Sequence, residues 1–143
     1  MEKQSSLRIL SSLVFGAIIF FILAVGLFSL VLQDILRPTV IPYVGLYPEM
    51  PRLALLFAGD ALWAALLYVV LSFQGPRDHW SAASTGAIVM AIVAASYVIH
   101  ELALTNLHIP SPLLILDVLA MSFIGATTSA VMHKAGLVNL RHR

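Results

Sequence analysis

The chain reads as an all-α integral membrane protein, a bundle of four transmembrane helices running up-down-up-down with both termini on the cytoplasmic side. Three observations predict this. First, 60% of its 143 residues are hydrophobic and only 10% charged, whereas a soluble domain carries about 25% charged residues to face water. Second, the apolar residues gather into four runs of at least ~20 residues, enough at 1.5 Å of helical rise per residue to cross a hydrocarbon core. Third, proline-containing segments separate the runs. In lipid a backbone must satisfy its own hydrogen bonds, so the runs are helices.

The first run spans 7–32, with Arg8 near its start. Lys3 and Arg8 resemble the basic end of a secretory leader, and Ala24-Val25-Gly26 a weak cleavage site. The apolar stretch nevertheless continues to Leu32, longer than a leader's apolar core, so it is read as a retained span. An outer segment, 33–52, follows. It holds Pro38, Pro42, Pro48 and Pro51, and between Arg37 and Glu49 it is largely apolar, as expected of a stretch lying on the membrane surface over the mouth of the bundle. The second run, 53–73, is interrupted only by Asp60. Gly75-Pro76 opens the next connection, and the third run, 82–105, carries His100 and Glu101 near its end. Pro110 and Pro112 bracket the last connection before the fourth run, 113–132, with Asp117 near its start. Proline disfavours helix through its own position and restrains the residue before it.

Orientation follows from the basic residues. The side holding the N-terminus, the second connection and the C-terminus contains Lys3, Arg8, Arg77, Lys134, Arg141 and Arg143. The other side holds Arg37 and Arg52, each close in sequence to an acidic residue. An excess of Lys and Arg marks the cytoplasmic face, which places both termini there. The whole chain, 1–143, is read as one membrane domain. With no cysteine, disulfides, thiolate metal sites and cysteine nucleophiles are excluded. A formal charge of +1 gives no basic face for nucleic acid.

Membrane helices associate through small residues, because lipid offers no hydrophobic drive for their association. Small residues recur as Ala54, Ala58, Ala61 and Ala65 in the second span. They recur as Ala83, Ala87, Ala91 and Ala94 in the third, and as Ser122, Ala126 and Ala130 in the fourth, with Gly125 and Ser129 beside them. Glu101 lies seven residues after Ala94, so at 3.6 residues per turn it shares that small face and is expected to point inward, with His100 turned about 100° away. Asp117 shares a face with Met121, Ile124 and Thr128, and Asp60 with Ala64 and Leu67.

Ionisable residues inside a membrane cost ~2.5–3.5 kcal/mol at the centre of a span and less toward its ends. Asp60, His100, Glu101 and Asp117 all fall in the outer half of the predicted bundle, at depths differing by roughly 5–8 Å. Three carboxylates cannot all stay ionised together in a low dielectric, so at least one is expected to hold a proton. Such a layer supports three readings: a closed hydrogen-bond network that sets helix register, a site that loads a proton or cation from outside, or a metal site. Imidazole with carboxylates suits iron, manganese or zinc, with His108 of the outer connection as a further ligand. Against the metal, adjacent His100 and Glu101 splay apart on a helix, and neither a Glu-x-x-His pair nor His-Glu-x-x-His is present. No nucleophile motif, P-loop or dinucleotide fingerprint occurs.

Phe15-Gly16 in the first span, Gly59-Asp60-Ala61-Leu62-Trp63 in the second and Leu116-Asp117-Val118 at the start of the fourth make the chain resemble small bacterial four-helix inner-membrane proteins of unknown function. The resemblance covers nearly the whole chain. It implies a bacterial inner membrane and draws notice to Asp60 and Asp117, and it carries no activity. From the bundle and its polar layer, the expected function is that of a non-enzymatic membrane protein, a small binding or accessory subunit. It needs no cofactor, and its partners are the bilayer and either further copies of itself or another membrane protein. The alternatives are proton- or cation-coupled transport through the polar layer and, beyond that, a metal-dependent membrane enzyme.

Overall fold

The computed structural model describes residues 2–28, 53–104 and 111–136; the side chains of residues 2–6, 8, 101, 102, 104 and 111–113 fall outside that description. The described residues form four α-helices: α1 (Glu2–Gly26), α2 (Leu53–Gln74), α3 (His79–Leu104) and α4 (Ser111–Lys134). Each is long and apolar enough to cross a membrane. The expected spans match α2 within one residue, and α3 and α4 begin two to three residues earlier than expected. α1 ends at Gly26, followed by π-helical pairing at Leu27 and Phe28; the expected continuation over 29–32 and the outer segment 33–52 lie outside the described residues.

Local chemistry explains the helix ends. Gly75 stops α2 with φ of 61°, and its N–H donates to the Leu71 carbonyl at 2.9 Å. A β-carbon makes this left-handed conformation costly. Three residues on, the Asp78 carboxylate accepts the Ser81 N–H at 2.7 Å and caps the start of α3. Gly136, with φ of 65°, closes α4 in the same way. One side chain ties two of these ends together: His133 Nε2 lies 3.2 Å from the Pro76 carbonyl oxygen, to which its ring N–H can donate. Replacing Asp78 with alanine should cost about 1 kcal/mol of stability, the usual loss of an N-cap. Thermal denaturation in detergent checks this, and Asp78→Asn, which keeps an acceptor, should lose much less.

The helices do not pack evenly. α3 lies along α4 and α1 along α2, while α1 also meets α4 and joins the two pairs; α2 meets α3 and α4 only sparsely. The spatial order is thus α2, α1, α4, α3, and α2 and α3, consecutive in the chain, are poor neighbours. Two apolar clusters fill the interior. Tyr68, Leu71, Ala82 and Met132 form one, with Leu13 against it. Phe20, Leu67, Met90 and Ile124 form the other, extended by Leu23, Leu27, Val93 and Met121 among others. The outward faces are apolar as well, with Leu62 72% and Phe73 84% exposed.

The packing seams differ from those the small residues suggested. On α3 the buried positions are Ala82, Thr85, Gly86, Met90 and Ala94, so only Ala94 of the expected stripe is buried, and Ala83, Ala87 and Ala91 are half-buried. On α2 the interior takes Ala64, Leu67, Tyr68 and Leu71, while Ala54 and Ala58 are exposed. On α4 the seam runs through Gly125 and Ser129, which the sequence places beside the stripe, while Ser122, Ala126 and Ala130 are half-buried. The physical reason is backbone approach. A β-carbon added to Gly86 would stand 2.2 Å from the Gly125 carbonyl oxygen, so the α3 and α4 backbones touch there. Alanine allows close packing, but only glycine allows this contact.

Candidate functional site

The four helices place two carboxylates toward the interior. Asp60 stands one, two and three turns before Ala64, Leu67 and Leu71, all of which are fully buried, and is itself half-buried. Asp117 stands on the same face of α4 as half-buried Met121 and fully buried Ile124 and Thr128, and is likewise half-buried. The i, i+4, i+7 spacing thus puts each acid on the bundle-facing side of its helix. Each lies seven residues before a member of the same apolar cluster, Leu67 or Ile124, about 10 Å along its own helix. Neither carboxylate takes part in a hydrogen bond or ion pair among the described residues.

The other expected members are placed differently. His100 belongs to α3 and its side chain is exposed, turned away from the interior. Glu101 is a residue of α3 whose side chain lies outside the described residues, and His108 lies outside them altogether. Among the described residues no three His, Asp or Glu side chains come together as a metal site.

The interior also holds uncharged polar groups. Ser12, Thr128 and Ser129 are fully buried. The hydroxyls of Thr128, Ser129 and Ser72 are buried with no hydrogen-bond partner, whereas Ser122 returns its hydroxyl to the Val118 carbonyl at 2.6 Å. An unsatisfied buried hydroxyl costs ~1–3 kcal/mol. Thr128 shares the face of Asp117 and Ser129 stands with Gly125 beside the small-residue stripe of its span, both signals present in the sequence; Ser72 carries none beyond its residue type.

No family model, curated protein or solved structure matches this chain. The chemistry of the site therefore rests on its own residues.

Proposed function

We propose that this protein is a small multi-pass membrane protein whose helices alternate in direction, with both termini in the cytoplasm of a bacterial cell and the bundle in its inner membrane. It acts as a non-enzymatic binding or accessory subunit, and Asp60 and Asp117 hold a cation or the polar group of a ligand at the outer end of the bundle. The observation that carries this reading is the pair of bundle-facing carboxylates with no partner among the described residues. A carboxylate in the interior of a membrane protein is costly unless paired, and here an external cation is the natural counterpart.

The alternating direction is supported by the two apolar clusters. Leu13, Tyr68, Leu71, Ala82 and Met132 share one, and Phe20, Leu67, Met90 and Ile124 the other. Moving between them raises the residue number in α1 and α3 and lowers it in α2 and α4. With that alternation, Asp60 and Asp117 fall at the same end. The Lys and Arg distribution then makes that end the outer one.

A second reading, movement of a proton or cation through the bundle, is favoured by Thr128. Its unpartnered hydroxyl continues the face of Asp117 inward by three turns, with Ser129 beside it. Binding and transport share a first test. Detergent-purified protein should gain thermal stability from one of sodium, potassium, magnesium, manganese or zinc, and Asp60→Asn and Asp117→Asn should abolish the gain. An identical response from wild type and both variants would remove the carboxylates from any binding role. Flux of the responding cation in proteoliposomes, with and without a pH gradient, then separates transport from binding. Because the chain has no cysteine, single cysteines at either end of each helix test the orientation by labelling from one side.

A further inference from the structure

The sparse contact between α2 and α3 leaves a cleft of about 570 Å³ between them, open along one side. Its walls are apolar: Val69, Val70 and Phe73 from α2, Ile88 and Val89 from α3. Its polar lining is confined to Gln74, Ser84 and Thr85, near the tight connection that joins the two helices. These groups are engaged within the chain. Thr85 bonds to the Gln74 side chain, and the Ser84 hydroxyl donates to the Ser81 carbonyl at 3.0 Å. The cleft therefore offers a long apolar wall with a satisfied polar end.

That polar end adjoins positive charge. The contact between His133 and Pro76 brings the end of α4 to the α2–α3 connection. Lys134 and Arg77, the residues next in sequence to that pair, are both exposed. The nearby carboxylate, Asp78, is held by the Ser81 N–H. Trp80 is 74% exposed at the same end, and tryptophan favours the level of lipid headgroups.

From this juxtaposition we infer that the α2–α3 cleft is a binding site for an anionic phospholipid, one acyl chain lying between Val70 and Ile88 and the headgroup phosphate meeting Arg77 and Lys134. The inference rests on the membrane reading above, under which this end faces the cytoplasmic leaflet, where anionic headgroups gather basic residues. It is independent of Asp60 and Asp117.

The test is native mass spectrometry of delipidated, detergent-purified protein offered phosphatidylglycerol, phosphatidylcholine with the same acyl chains, or free glycerol phosphate. About one phosphatidylglycerol should be retained per chain, preferred over phosphatidylcholine by roughly tenfold or more, as two basic residues near a headgroup imply. The Arg77→Gln/Lys134→Gln double variant should lose the preference, and Ile88→Trp, at an exposed position that fills the cleft, should lower retention of both lipids. Equal retention of the two lipids by wild type would overturn the inference. So would unchanged retention by Ile88→Trp, or competition by glycerol phosphate as strong as by the whole lipid. Carbonate-resistant insertion into vesicles, measured on the same samples, keeps the two readings apart. Failure to insert removes the membrane reading and this site together, while insertion without lipid preference removes the site alone.

Discussion

Replacing Gly86 with alanine should separate α3 from α4 and destabilise the bundle by ~3 kcal/mol or more, at or above the top of the usual range for overpacking. The added β-carbon would stand 2.2 Å from the Gly125 carbonyl oxygen, 2.2 Å from Ser129 Oγ and 2.7 Å from Ser129 Cβ. A serine hydroxyl can rotate away, but a backbone carbonyl moves only with its helix. Gly125→Ala meets the same obstacle from the other side, 2.5 Å from the Gly86 carbonyl oxygen and 2.4 Å from Met90 Cγ. In a membrane the penalty is not offset elsewhere, because helix association there depends on van der Waals contact rather than on expulsion of water. The double variant should cost less than the sum, since the first β-carbon already opens the gap the second requires.

Two other glycines serve as controls. At Gly16 the nearest atoms to an added β-carbon are Met132 Sδ at 3.0 Å and Cε at 3.1 Å, the end of a flexible side chain, so alanine there should cost under about 1 kcal/mol. At Gly59 nothing lies within 4 Å, and alanine, the better helix former, should be neutral or mildly stabilising. Unfolding of the four single variants in a mixed-detergent titration ranks them. If Gly86→Ala proves as stable as Gly59→Ala, the close crossing of α3 and α4 is wrong.

Replacing Asp117 with leucine should make the purified protein more resistant to unfolding, by ~1–3 kcal/mol, while abolishing its response to cations. The sign of the stability change decides between two roles. A carboxyl in a closed network is missed when removed, because its former partners are left buried and unpaired. A carboxyl held ready for an external ligand has no such partners, and its removal relieves the cost of a polar group among apolar neighbours. Asp117 sits on a face with Met121 and Ile124 and has no hydrogen bond among the described residues, which favours the second role. The magnitude falls at or below the ~2.5–3.5 kcal/mol assigned to an acid at mid-span, because the side chain lies toward one end of α4 and is only half-buried. Asp60→Leu should behave alike, and a retained site of this kind trades stability for function. A loss of stability in both variants would instead support the closed network, with its remaining member to be sought at Glu101.

The inward face of each acid was legible because a helix repeats every 3.6 residues, so Asp60 had to share a face with Ala64 and Leu67, and Asp117 with Ile124 and Thr128. The cost of aiming a carboxylate at lipid then settled which face turned inward. His100 joined the same layer by depth, while its position one residue before Glu101 already turned it about 100° off the small face; its side chain is exposed. The unpartnered state of the Ser72 and Ser129 hydroxyls was beyond reach. A serine reads the same whether its hydroxyl returns to a carbonyl, as Ser122 does, or stays unsatisfied in the interior.

Four long apolar helices follow from residue order, since long hydrophobic runs admit no other backbone in lipid and proline and glycine mark their ends. Asp78 and Gly75 likewise act through bonds to their immediate neighbours in the chain. Which helices became partners was settled by packing. Alanine is spread around several faces of α2 and α3, so small-residue spacing is satisfied by more than one docking. Among the described residues, the choice fell to the crossing where two glycines, Gly86 and Gly125, bring backbones into contact. That contact binds α3 to α4 and leaves α2 to α1, and from it follows the open cleft between α2 and α3. Chain order could not foretell the cleft, because a four-residue connection holds helix ends together but leaves their far lengths free to find better partners.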